Sequence, residues 1–87
     1  MNEHKIIVDI YADWDETPPR YRVYVDDDLL TERDFTWDNS IYIRENILVN
    51  LESGSHRLRI EQCNKFGSIR TENVKVNDVP SSMEFVI

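Results

Sequence analysis

The chain has 87 residues, 40% of them apolar and 31% charged, with a formal net charge of −7 at neutral pH. A chain of this length covers roughly 60–65% of its unfolded surface, enough for one core, so residues 1–87 are expected to form a single domain with little scaffold for a deep catalytic cleft. The composition argues against disorder, and no apolar run approaches the ~20 residues of a membrane-spanning helix.

The N-terminal stretch "MNEHKIIVDI" has no apolar signal core and no small-residue cleavage site, so synthesis and residence in the cytoplasm are expected. Its residues Ile6, Val8 and Ile10 alternate with Ile7, Asp9 and Tyr11, which predicts a first strand. "YADWDETPPRY", Tyr11 to Tyr21, follows as an inter-strand loop stiffened by Pro18 and Pro19. Val23 and Val25 alternate with Arg22 and Tyr24, and Asp26–Asp28 offers turn chemistry, so Tyr21–Trp37 reads as a hairpin. "WDNS", from Trp37 to Ser40, is a loop. A turn of helix is expected near Tyr42–Asn46. Ile47, Val49 and Leu51 then share one face of a strand, with Leu48 and Asn50 on the other.

"ESGS" turns at Gly54, and His56, Leu58 and Ile60 alternate with Arg57, Arg59 and Glu61 as a half-buried strand. "NKFGS" turns around Gly67, Ile69–Asn77 forms another strand, and after "NDVPSS" the residues Met83, Phe85 and Ile87 alternate to the end. The pattern predicts an all-β fold: a small antiparallel β-sandwich, jelly-roll-like, of about six to eight strands. Charges along Arg20–Arg22 and Glu32–Asp34 are expected to guard an edge strand from unwanted pairing.

Charge is unevenly placed. Residues 9–38 hold ten acidic residues against three basic ones, which equals the whole net charge. Such an acidic half repels phosphate, so no direct nucleic-acid binding is expected. Asp13, Asp15 and Glu16 place three carboxylates within four residues, the oxygen-rich chemistry of a hard cation such as Ca²⁺. A solvated acidic loop is the simpler reading of the same residues.

Exposed aromatics beside acids make binding platforms. Tyr11, Trp14 and the acidic turn Asp26, Asp27 and Asp28 are therefore the candidate partner-contacting residues, whereas Trp37 is expected in the core. Cys63, the lone cysteine, has no histidine near it in sequence to activate it. His56 has no second ligand spaced for a metal and reads as structural. No phosphate loop, nucleophile motif or zinc spacing is present, and the chain is expected not to be an enzyme.

Two resemblances add to this reading. Leu51, Gly54, His56, Leu58, Ile60 and Asn64, then Asn73, Val74, Val76 and Asn77, follow an order similar to the later half of calcium-dependent xylan-binding modules. "YRVYVDDDLL" also resembles a strand–turn–strand segment of those modules. The resemblance implies a β-sandwich with a Ca²⁺ site, although Lys65 stands where that family usually has Asp. The stretch Ala12–Trp37 and the ending Val74–Ser81 resemble, more closely, short proteins of tailed phages infecting marine cyanobacteria. This implies a viral origin, with synthesis in the host cytoplasm and a place in the virion for a virion-associated form.

The combined expectation is a non-enzymatic phage accessory protein that acts by binding, in the virion, in assembly or in host interaction. Its partner would be a phage structural or host protein, with self-association through an edge strand or aromatic face. One alternative is a carbohydrate-binding module, with Ca²⁺ on Asp13, Asp15 and Glu16 and a sugar stacked on Trp14. Another is an acidic DNA mimic that inhibits a host protein.

Overall fold

The structure, a computed structural model, describes residues 2–87. It contains eight strands: β1 (Asn2–Asp13), β2 (Arg20–Val25), β3 (Asp28–Asp34), β4 (Ile43–Leu51), β5 (Ser55–Gln62), β6 (Ser68–Val76), β7 (Val79–Pro80) and β8 (Glu84–Val86). They form two four-stranded antiparallel sheets, ordered β4-β1-β6-β7 and β3-β2-β5-β8. The fold is a small all-β sandwich, as the alternating pattern predicts.

The core lies between the sheets. Ile6, Val8, Ile10 and Ala12 of β1 meet Tyr21, Val23 and Val25 of β2, with Leu58, Phe35, Val76 and Phe85 closing the layer. Period-two alternation places these residues on one face of each strand, and burying that face against the other sheet is what holds a sandwich together. Two turns use the chemistry their sequence offers. Asn77 and Asp78 both take positive φ, at 51° and 68°, in the two-residue connection from β6 to β7, the backbone pattern of a type I′ hairpin. Asp26, at φ 55°, opens the β2–β3 turn, where the sequence predicts one.

Two carboxylates are buried. Asp9 lies on the outer face of β1, where Arg44 donates two hydrogen bonds to it at 2.8 and 3.2 Å. A bulge in β6 sets Asn73 at φ 56°, and its amide donates to the same carboxylate at 3.0 Å. The Arg44 hydrogen bond holds the Asp9 carboxyl below its ordinary pKa against the opposing effect of burial. Glu45 instead points into the sandwich, accepting from the Tyr21 hydroxyl and from Arg33 Nε, both at 2.7 Å. Burial and the Glu45 carboxylate both raise the Tyr21 pKa, so the phenol stays protonated as the donor.

The expected turn of helix near Tyr42–Asn46 does not form. β4 begins at Ile43, in register with Ile10 of β1. The sequence pattern was blurred because Glu45 occupies an inward position, which breaks the apolar alternation.

Candidate functional site

Strand registers place three connections at one end of the sandwich: residues 14–19, 35–42 and 63–67. They are braced to one another. Asn39 accepts from the Trp14 backbone N–H at 3.0 Å and donates to the Trp14 carbonyl at 3.1 Å. The Trp14 indole N–H donates to the Trp37 carbonyl at 2.9 Å. Asn64 donates to the Pro18 carbonyl at 3.3 Å, and the Phe35 N–H donates to the Pro19 carbonyl at 2.8 Å.

Gly67, at φ 65°, lies so close that a Cβ there would meet the Asp13 carbonyl and come within 2.8 Å of Trp14 Cβ. The 63–67 loop therefore depends on glycine, both for the positive φ and for this approach.

The two tryptophans exchange the places expected of them. Trp14 is partly buried and packs against the core, so its ring is a structural plug. Trp37, expected in the core, is 52% exposed. Trp37, Ile41 and Tyr42 line a shallow groove with Arg33 and Arg44. Tyr42 also stacks, tilted, on Tyr11 at a centroid distance of 5.3 Å, and Arg70 lies 4.3 Å above the Tyr11 ring. An exposed aromatic cluster with guanidinium neighbours thus sits at the loop end. Sequence reasoning missed Trp37 and Ile41 as surface residues; the "WDNS" loop chemistry beside Trp37 was the available signal.

The acidic half is not one surface. Asp13, Asp15 and Glu16 lie at the loop end, whereas Asp26, Asp27 and Asp28 form the β2–β3 turn at the opposite end of a molecule 42 Å long. Several of its acids are already partnered. Arg44 holds Asp9, Arg20 holds Asp34, Arg22 holds Glu32, and His56 holds Asp26. Asp13, Asp15, Glu16 and Asp38 have no ion-pair partner among the described residues, and nor do Asp27 and Asp28. No three carboxylate, imidazole or thiol side chains among the described residues converge as a metal cage, so Asp13, Asp15 and Glu16 are neighbours in sequence without sharing a focus.

His56 has both ring nitrogens engaged. Nδ1 lies 2.7 Å from the Asp26 carboxylate and Nε2 lies 2.7 Å from the Glu52 carbonyl. Two acceptors call for two N–H donors, so the geometry favours the imidazolium. The Asp26 hydrogen bond, followed by that of Glu52, raises the His56 pKa above its ordinary 6.5. With no nitrogen left to take a proton, this pair is a brace, not a general base. Partial desolvation raises the Cys63 thiol pKa, the opposite of nucleophile activation.

The chain matches no protein-family model, no curated protein and no solved structure. The class defined by fold and site is an all-β sandwich with a braced, aromatic loop end.

Proposed function

We propose that this chain is a non-enzymatic accessory protein of a tailed phage that works by binding a protein partner through its loop end. The observation that carries the reading is the braced aromatic cluster. Trp37, Ile41 and Tyr42 remain 52%, 46% and 43% exposed on loops whose backbones are fixed by side-chain bonds. Large aromatic side chains on a pre-ordered surface lose little entropy on binding and make the strongest hot spots. The carboxylates of Asp13, Asp15, Glu16 and Asp38 at the same end favour a partner with an apolar patch rimmed by basic residues.

The phage assignment rests on the resemblance of Ala12–Trp37 and Val74–Ser81 to proteins of cyanobacterial phages. The DNA-mimic reading has less support, because it needs a continuous array of free carboxylates. Here Asp9, Glu32 and Asp34 are neutralised within the fold and the rest divide between two ends. Sugar stacking on Trp14 has less support because that ring packs on the core.

Mass spectrometry of purified virions tests the virion-associated form, which predicts recovery of the chain with the structural proteins; its absence there removes that form. For any partner so found, Trp37→Ala should weaken binding roughly tenfold or more. The fold should be unchanged, since only the Trp37 carbonyl takes part in the bracing. An undiminished affinity would reject the loop end as the binding surface.

A further inference from the structure

The two sheets have four edges: β4 and β7 in one, β3 and β8 in the other. Three of them are blunted. β3 is bulged between its pairings to Val23 and Tyr24, and its charged residues Glu32 and Asp34 are tied to Arg22 and Arg20. β7 has two residues, one of them Pro80, and β8 has three, so they cover only Lys75–Val76 of β6 and Ser55–Arg57 of β5. The rest of those two edges is bulged at Asn73 and carries the charges Arg70, Glu72, Arg59 and Glu61. Short strands, proline, bulges and charges are the usual defences of a sheet edge.

β4 has none of the first three. It runs nine residues, "IRENILVNL", hydrogen-bonded to β1 alone. Its one inward charge, Glu45, is already satisfied by Tyr21 and Arg33. Its outward row reads Arg44, Asn46, Leu48 and Asn50, and Leu48 stands 63% exposed at the centre of that polar row.

We propose that β4 pairs antiparallel with β4 of a second copy about a two-fold axis at Leu48, joining two four-stranded sheets into one of eight. Residues facing each other across paired strands must share a face, which limits the registers available. A two-fold at Glu45 opposes two like charges. A two-fold at Asn46 sets Leu48 against Arg44, and one at Ile47 sets Leu48 against Asn46. The two-fold at Leu48 brings the two leucines together, pairs Asn46 with Asn50, and brings Arg44 beside Glu52, the residue that follows β4, of the other copy on both sides of the axis. On the inner face it opposes Ile47 to Val49.

Apolar contact and opposite charge therefore coincide in this register. Arg44 is half-exposed while holding Asp9, so its outer N–H groups are available. The interface shares Arg44 with the loop-end groove but does not use Trp37, so Leu48→Lys and Trp37→Ala separate the two readings.

Sedimentation equilibrium over roughly 1–300 µM chain at physiological salt tests it, since an interface of one strand pair falls at the small, micromolar end of the range. A reversible dimer is expected. Leu48→Lys should weaken it at least tenfold with an unchanged circular dichroism spectrum, because the side chain is exposed in the monomer.

Register is read by oxidation in a Cys63→Ser background. Leu48→Cys places two cysteines directly opposite across the axis, where Cα separations of about 4.5–5.5 Å suit a disulfide. Asn46→Cys sets its two copies about 13 Å apart along the strands. Rapid cross-linking of the first and not the second is expected. A chain that stays monomeric throughout, a dimer indifferent to Leu48→Lys, or equal cross-linking at the two positions would each overturn the proposal.

Discussion

Tyr21 shows how one buried contact fixes several side chains. Its ring is fully buried in the core, and its hydroxyl donates to Glu45, which also accepts from the half-exposed Arg33. The sequence does not announce this triad, because an inward glutamate on a strand looks like a break in the pattern until a donor faces it from the other sheet. Removing one partner leaves the other buried and unpaired, which costs more than the bond itself contributes.

Glu45→Ala should therefore lower stability by about 2–3 kcal/mol, because it leaves the buried Tyr21 hydroxyl without an acceptor while the half-exposed Arg33 turns to water. Tyr21→Phe should cost only about 1–2 kcal/mol, because Arg33 still holds the carboxylate. Urea unfolding of the two variants checks the order; equal losses would mean that Arg33 contributes little. The same blindness to cross-sheet partners explains the exchange of Trp14 and Trp37. Their local sequences carry similar polarity, whereas the Asn39 bonds and the close approach of Gly67 anchor the Trp14 backbone, and Trp14 is the ring that packs on the core.

At the scale of elements, strand existence was well marked, since His56–Ile60 and Val23–Val25 alternate, Ile6–Ile10 is a short, mostly apolar run buried on both faces, and Asp26, Gly54 and Gly67 punctuate them. What holds the elements together was not marked. The β2–β3 turn is tied to β5 by Asp26, whose carboxylate takes His56 at 2.7 Å and the Arg57 N–H at 3.0 Å, and whose N–H donates to the Arg57 carbonyl at 2.7 Å.

This brace makes stability depend on pH in a stated direction. The Asp26 partner raises the His56 pKa above 6.5, so the histidine's contribution is fully present below pH 6.5 and is lost as pH rises through the higher folded value. The His56 partner lowers the Asp26 pKa below 3.8, so the aspartate's contribution is present above pH 3.8 and is lost as pH falls through the lower folded value. The stability difference between the wild type and His56→Gln should therefore be greatest between pH 4 and 6.5 and shrink above that window. Paired chemical denaturation at pH 5.5 and pH 9 measures it; a difference that grows toward pH 9 would contradict the brace.

Across the whole molecule, the order of synthesis and the order of pairing oppose each other. β1 comes first in the chain and lies at the centre of its sheet, yet Asn2 pairs with Leu51 and Ile6 with Val76. Its sheet cannot form until β4 and β6 have both been made. Only the β2–β3 and β6–β7 pairings are local hairpins. Loop closure must therefore be completed at high entropic cost before most of the core is rewarded, which slows folding. Refolding by stopped-flow Trp fluorescence should have a time constant in the range of roughly milliseconds to seconds, not microseconds.

A chain ending at Asn64 keeps the β2–β3 hairpin and β5 but lacks β6, so Asp9 loses Asn73 and the face of Ile10 and Ala12 loses Ile69 and Val76. With that side of β1 open, the buried area left is too small to offset the entropy of ordering the chain. The fragment should melt without a cooperative transition. A sharp transition in the fragment, or microsecond refolding of the full chain, would show that local hairpins carry more of the stability than the paired β1 does.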